Sequence, residues 1–181
     1  MIYLFLADGF EETEALATLD VLRRAGLDAV TVGVGKKTVT GSHSIPVIAD
    51  VIDCEILPDE NVDGVVLPGG MPGTLNLEKS KTVQDFLDYA YNNGKLIAAI
   101  CAAPSILGHK NFLNGKNAIC YDGFESELKG ATISKNPVCK DGKFITAAGA
   151  GVSLDFGFEI VEALCGKAKS ENLRAAMKCI R

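Results

Sequence analysis

Short runs of consecutive apolar residues alternate along the chain with longer segments whose apolar positions recur every three or four residues. The short runs are typical of buried strands, and the longer segments of helices with one face against a core. This pattern predicts strands at residues 2–7, 28–34, 63–68 and 95–100, and helices at 11–25, 81–91, 102–109, 152–165 and 170–178. It also predicts short β-like segments at 117–120, 131–134 and 143–147, and an extended excursion or hairpin at 37–50.

Alternation of apolar strands with amphipathic helices indicates a parallel sheet that is covered on both faces. We therefore expect a flavodoxin-like, doubly wound α/β sandwich with a mostly parallel central sheet. No internal repeat, low-complexity tract or linker interrupts residues 1–181, so we expect one domain. Active sites of such sheets lie at the carboxyl ends of the strands, beside a topological switch point. That rule directs attention to residues 8–14, residues 69–73 and the segment from Cys101 onward.

Composition narrows the class of protein. The chain of 181 residues has a net charge of -5, and its 18 basic residues are scattered, which disfavours a nucleic-acid partner. No apolar run approaches the roughly 20 residues that span a bilayer, and the amino terminus lacks a basic leader. We therefore expect a cytoplasmic protein without a membrane partner. Six cysteines without a C-x-x-C pair, and two histidines, predict free thiols, mostly buried, and no metal site.

Cys101 is the candidate nucleophile. It lies between the most apolar strand and the following helix, and Ala102 and Ala103 allow the sharp turn of a nucleophile elbow. At a helix amino terminus, the dipole is expected to favour its thiolate. Amides of the first helical turn and of Gly69 and Gly70 are then placed to stabilise an oxyanion. A buried thiol without chemistry is the alternative, and the pattern leaves both interpretations open.

Three glutamates open the first helix, and Glu14 is the candidate acid among them. Glu11 and Glu12 are interpreted as surface charges that complement the helix dipole. Glu14 begins the side that leads into apolar positions, which allows it to point inward as well as outward. Burial would raise the pKa of an inward carboxyl and suit it to exchanging a proton with a thiol.

Four motifs in this order resemble the ThiJ/PfpI superfamily, in the branch of the parkinsonism-associated protein deglycase. They are DGFEETEAL, VVLPGGMPG, AAICAAPSIL and GAGVSLDFGFEIVEALCG, and the resemblance extends over residues 2–167. It implies that Cys101 is the nucleophilic, oxidisable cysteine and that Glu14 is the acid bonded to it. It also implies an oxyanion site at the amides of Gly70 and Ala102, no cofactor, and a homodimer formed through the first helix and residues 37–50.

The sequence departs from the family pattern near the nucleophile. Proteolytic relatives carry a histidine directly after the cysteine, where this chain has Ala102, so we do not expect a protease. Tyr121 stands where the deglycase has a histidine; it can donate a hydrogen bond but is a poor base near neutral pH.

Other polar or reactive side chains remain as weaker candidates. His43 occupies a position where the family often has an arginine directed toward the partner's site, and a solvated loop is its alternative interpretation. Cys120 is a candidate resolving thiol lining the same pocket, and Gly69 a candidate wall of it. His109 is interpreted as a capping or surface residue. The other four cysteines are expected to be structural.

Two functions fit this set of residues. The resemblance implies a cofactor-free enzyme acting on small reactive carbonyls or early glycation adducts, as a glutathione-independent glyoxalase or deglycase. The alternative is a non-enzymatic oxidative-stress sensor or chaperone-like protein that uses the same oxidisable cysteine. Both require the same site, so the sequence does not separate them.

Overall fold

The computed structural model describes residues 1–179, and strands and helices alternate along most of this range. The strands are β1 (Ile2–Leu6), β2 (Ala29–Gly33), β3 (Thr38–Thr40), β4 (Pro46–Ile48), β5 (Val51–Ile52), β6 (Gly64–Leu67), β7 (Leu96–Ile100), β8 (Asn117–Ala118), β9 (Thr132–Ile133), β10 (Val138–Asp141) and β11 (Phe144–Ala147). The helices are α1 (Glu12–Arg24), α2 (Gly73–Lys79), α3 (Lys81–Asn92), α4 (Pro104–His109), α5 (Ser153–Cys165) and α6 (Lys167–Ala176). Short 3₁₀ turns lie at Asp53–Glu55, Glu125–Glu127 and Ala150–Val152.

The central sheet has the strand order β10-β11-β7-β6-β1-β2-β5. Its pairs are parallel except β10 with β11, which confirms the predicted doubly wound, mostly parallel arrangement. After β1 the chain builds β2 and β5 on one side and then returns to place β6, β7 and β11 on the other. The switch point therefore lies between β1 and β6, and the loops that follow these two strands meet there.

Two hydrophobic clusters cover the two faces of the sheet. Alternate residues of β1 point to opposite faces, so Tyr3 and Phe5 belong to one cluster, and Leu4 and Leu6 to the other. The first cluster is completed by α2, α3 and α4, and the second by α1 and α5. The carboxyl ends of β1, β6 and β7 are held between these two packed layers, which fixes the backbone from which the candidate site is built.

The structure differs from the sequence prediction at short elements. The hairpin predicted within 37–50 is present as β3 and β4, whereas helix α2 is an element that the sequence pattern did not predict. This helix begins at Gly73 after Pro72, both turn-forming residues, and tertiary packing of the buried Leu77 holds it in place. The helix predicted from residue 102 begins at Pro104 and is only six residues long. No helix within residues 1–179 has the length and apolar character needed to cross a membrane.

Candidate active site

Cys101 immediately follows β7 in a strained turn. Its backbone φ is +64°, in the left-handed region that non-glycine residues seldom adopt. The turn is fixed by two hydrogen bonds: the Cys101 N–H donates to the Ala147 carbonyl at 2.8 Å, and the Tyr121 N–H donates to the Cys101 carbonyl at 2.8 Å. The side chain is partly exposed. The expected elbow is therefore present, and such strain is often found at functional residues.

Glu14 is buried in the first turn of α1 and points toward Cys101. Its Oε2 accepts a hydrogen bond from the Gly69 N–H at 2.8 Å, whereas Oε1 is buried without a partner of ordinary hydrogen-bond geometry. Burial raises the pKa of Glu14 to about 7, while the Cys101 thiol and the Gly69 amide oppose this shift by hydrogen bonding to the carboxylate. The inward orientation allowed by the sequence is the one adopted, and the carboxyl changes its charge near neutral pH.

The pKa of the Cys101 thiol is shifted in the direction opposite to the one expected from the sequence. Burial, and then the neighbouring Glu14 carboxylate, raise its pKa to about 12, although the backbone amides of Ala102 and Gly70 act in the opposite direction. The prediction of a thiolate stabilised by a helix dipole is therefore wrong, because burial and the Glu14 carboxylate outweigh the amides that favour the thiolate. In the resting pair the proton stays on sulfur, and Glu14 is the nearby group able to accept it.

The loop after β6 brings its glycines into contact with both of these residues. A Cβ on Gly69 would lie 2.7 Å from the Cys101 Cβ and 2.8 Å from the Glu14 Oε2, so a larger side chain would push the pair apart. Gly70 has a φ of +89° and packs against the backbone of the loop after β1. Because the amides of Gly70 and Ala102 both reach the sulfur, they can also stabilise an oxyanion formed beside it.

Glu12 has a position that the sequence interpretation missed. It is buried rather than at the surface, and it holds the tip of the β3–β4 hairpin. Its Oε1 accepts hydrogen bonds from the N–H groups of His43 at 2.8 Å and Ile45 at 3.3 Å, and its Oε2 lies 3.0 Å from the His43 Nδ1. The burial depends on a loop about thirty residues away, so helical periodicity alone does not reveal it. Glu11 instead caps α1, accepting a hydrogen bond from the Glu14 N–H at 2.6 Å.

Glu11, Glu12 and His43 also form the one group of possible metal ligands found among residues 1–179. Their donor atoms lie within 4.8 Å of one another. The Glu12 oxygens are already used by the hairpin and the Glu11 Oε2 by the helix cap. These hydrogen bonds account for the arrangement without a cation.

The three weaker candidates, Tyr121, His43 and Cys120, lie in different parts of the structure. Tyr121 is joined to Cys101 through the backbone, and its exposed side chain lines a surface depression with Gly149 and Val152. The side chain of His43 is 70% exposed on the hairpin tip. Cys120 is buried within the cluster on the α3 and α4 face, whereas Cys101 packs against the opposite cluster. This position does not support the expected role of Cys120 as a resolving thiol in the same pocket.

All six cysteines are free, as expected, but they are not mostly buried. Cys54 and Cys165 are exposed, Cys101 and Cys179 are intermediate, and only Cys120 and Cys139 are buried. Burial also raises the pKa of Cys120 to about 11, assisted by the charges of Glu125 and Asp122. Solvent access therefore does not distinguish Cys101 from the other thiols. Its strained backbone and its contact with a buried acid do.

Fold and site together define a class: a doubly wound α/β protein with a cysteine on a strained turn after a central strand, paired with a buried glutamate. The sequence model of the DJ-1/PfpI family matches residues 1–163 of this chain. The chain is 36% identical to the Drosophila melanogaster protein dj-1beta over 171 residues, covering 93% of this chain and 91% of that protein. The chain therefore belongs to the DJ-1/PfpI family.

Two further relatives extend the comparison. The Caenorhabditis elegans glutathione-independent glyoxalase DJR-1.2 is 29% identical over 165 residues, which cover 90% of this chain and 87% of that protein. The solved structure of oxidised Toxoplasma gondii DJ-1 superposes with a TM-score of 0.92 at 30% identity, covering 97% of this chain and 96% of that one. The family resemblance inferred from the four motifs is thus confirmed.

Proposed function

We propose that this protein is a cofactor-free, cysteine-dependent enzyme that acts on small reactive carbonyl compounds, of the glutathione-independent glyoxalase type. The observation that carries the proposal is the buried Glu14 carboxyl facing the Cys101 thiol beside the amides of Gly70 and Ala102. This arrangement supplies a nucleophile, a proton acceptor and an oxyanion site within one small volume. Similarity to the glyoxalase of Caenorhabditis elegans supports the substrate class.

The proposed reaction with methylglyoxal begins with addition of the Cys101 sulfur to the aldehyde carbon. As the carbon–sulfur bond forms, the thiol proton passes to Glu14 and the carbonyl oxygen becomes an alkoxide held by the two backbone amides. That oxygen then takes the proton from Glu14, which gives a hemithioacetal and regenerates the carboxylate. Glutathione is unnecessary because the protein supplies the thiol.

Glu14 next removes the proton from the former aldehyde carbon, giving an enediolate. The hydroxyl proton then shifts to the neighbouring oxygen, and Glu14 returns its proton to the carbon that bears that oxygen. The product is a 2-hydroxyacyl thioester on Cys101, formed by internal oxidation of one carbon and reduction of the other. Water then hydrolyses the thioester, releasing lactate and the free thiol. A single base that cycles between charged and neutral forms suffices for these steps, and the pKa of Glu14, about 7, suits that cycle.

Early glycation adducts are a second class of proposed substrate, since they present the same carbonyl chemistry and would be released by hydrolysis. A redox-sensor or chaperone-like role remains the alternative function, in which peroxide oxidises Cys101. The specific observation that favours it is the likeness to oxidised Toxoplasma gondii DJ-1.

We further propose a homodimer in the cytoplasm, formed by a single domain that comprises residues 1–181. Family membership supports the dimer, because DJ-1 family proteins are typically dimeric. The predicted interface of α1 and the hairpin also presents exposed apolar side chains, with Leu16 on the helix, and Ile45 and Ile48 on the hairpin. Burial of these side chains against a second copy would stabilise the pair.

The test is methylglyoxal consumption and lactate formation without glutathione, for wild type, Cys101→Ala and Glu14→Gln. Cys139→Ala is the control, since it removes another free thiol, the buried one on β10. The proposal requires turnover in wild type and control and its collapse in the two site variants. Absence of turnover in wild type, together with the gain of two oxygen atoms at Cys101 under peroxide, would favour the sensor instead.

A further inference from the structure

His109, the last residue of α4, lies between two carboxylates from different parts of the chain. Its Nδ1 is 2.5 Å from the Oε1 of Glu78 on α2, and its Nε2 is 2.8 Å from the Oε2 of Glu127 in the 3₁₀ turn. Both ring nitrogens can donate hydrogen bonds only when the imidazole is protonated. The hydrogen bonds to Glu127 and then Glu78 raise the pKa of His109, so the arrangement favours the imidazolium.

Each of the three elements joined by His109 continues directly from a segment of the candidate active site. Helix α2 follows the Gly69–Gly70 loop, and the Thr74 N–H donates to the Gly70 carbonyl at 2.9 Å. Helix α4 follows Cys101. The 3₁₀ turn follows Tyr121, to whose carbonyl the Phe124 N–H donates at 3.1 Å.

Helix α4 and the 3₁₀ turn are also in close backbone contact. A Cβ on Gly108 would lie 2.0 Å from the Glu127 carbonyl oxygen, so the two segments pack without an intervening side chain. The end of α4, which carries His109, therefore lies directly against the backbone of the turn that carries Glu127.

We infer that His109 is a positioning residue, which as an imidazolium clamps α2, α4 and the 3₁₀ turn together and so fixes the oxyanion amides relative to Cys101. The inference rests on the proposed function for its effect on turnover. His109 is exposed in the last turn of α4, as the sequence predicts, and both of its ring nitrogens are in addition engaged by carboxylates from distant segments.

Other charged side chains lie near the cluster of His109, Glu78 and Glu127. Besides Glu78 and Glu127, Lys110 lies beside His109 in sequence but is paired with Asp88 of α3 at 2.9 Å, and Lys129 faces Glu127 from beyond the turn. Deprotonation leaves a neutral ring that donates from one nitrogen only, so one carboxylate loses its donor. The clamp is therefore complete below the raised pKa of His109 and is lost as the pH rises through it.

The experiment compares wild type with His109→Gln and Glu127→Gln from about pH 6 to about pH 9. Lys81→Gln, which breaks an exposed ion pair with Asp85 on α3, is the matched control. Two readouts are measured: kcat and KM for methylglyoxal, and the rate of Cys101 alkylation by iodoacetamide, located by peptide mass spectrometry. The pKa of His109 is followed by NMR, where His43 gives the other imidazole signal.

We expect kcat of His109→Gln to fall about tenfold at the acid end with little change in KM, since misplaced groups weaken transition-state binding. The ratio to wild type should return toward one at the alkaline end, and Glu127→Gln should lower the pKa of His109. Cys101 alkylation should show the same pH-dependent ratio, whether or not wild type turns over methylglyoxal. Ratios that stay at one, or that are offset equally at every pH, would overturn the inference.

Discussion

Replacement of Glu14 by glutamine should stabilise the protein, although it removes a proposed catalytic group. The folded state raises the pKa of this carboxyl from its ordinary value of 4.5 to about 7, chiefly through burial. This shift in pKa corresponds to a loss of about 3 kcal/mol in the free energy of unfolding when the carboxyl ionises. The glutamine side chain carries no charge, and its carbonyl oxygen can still accept the Gly69 N–H.

The pH dependence follows from the sign of the shift. Below an ordinary glutamate pKa the carboxyl is neutral in both states, so wild type and Glu14→Gln should be equally stable. Between that value and about 7 the folded state binds more protons than the unfolded state, and the stability of wild type falls as the pH rises. Above it, the variant should be more stable by about 3 kcal/mol, or about 10 °C in Tm for a chain of this size.

The assay is urea and thermal unfolding of wild type, Glu14→Gln and the exposed control Glu60→Gln at acid and alkaline pH. Glu60→Gln should have the same stability as wild type at both pH values, since the side chain at position 60 is exposed to water. Equal stability of wild type and Glu14→Gln at alkaline pH would refute the reasoning. It would mean that the Glu14 carboxyl ionises in the folded protein as easily as in water.

Three other substitutions test particular contacts. Gly69→Ala places a Cβ 2.7 Å from that of Cys101, so it should cost about 1–3 kcal/mol in thermal unfolding and abolish methylglyoxal turnover; wild-type activity would contradict the tight packing. Glu12→Ala removes the acceptor for two hairpin amides, so it should cost about 1–3 kcal/mol and speed amide exchange in residues 41–45, and unchanged exchange would contradict its role. Tyr121→His should leave kcat for methylglyoxal unchanged, because Glu14 suffices as the base, and a rise of about tenfold or more would show that a second base was missing from the site.

The strands and the location of the site could be predicted because they depend on local pattern. Uninterrupted apolar runs identified β1, β6 and β7, and the rule of the switch point directed attention to residues 8–14, residues 69–73 and the segment from Cys101 onward. The choice of Cys101 and Glu14 within these segments came from the family resemblance. The elbow was also predictable, since small residues surround the cysteine. These inferences needed only the order and type of neighbouring residues.

Burial and electrostatics of the site depend on tertiary contacts, and there the sequence was less informative. The direction of the Cys101 pKa shift was mispredicted because burial and the Glu14 carboxylate outweigh the helix end. The helical pattern predicts a surface position for Glu12, and it misses the burial because the hydrogen-bond partners of Glu12 lie on a distant hairpin. The contacts of His109 with Glu78 and Glu127 likewise bring together segments that no sequence motif connects.

Direct observation of an acyl group on Cys101 would test the central claim most sharply. The protein is mixed with methylglyoxal, quenched in acid within a single turnover, and digested for peptide mass spectrometry. The account predicts a 2-hydroxyacyl thioester on the peptide containing Cys101, which disappears as lactate is released and is absent in Cys101→Ala. Lactate formation that persists in Cys101→Ala, or acylation confined to the exposed thiols of Cys54 and Cys165, would contradict it.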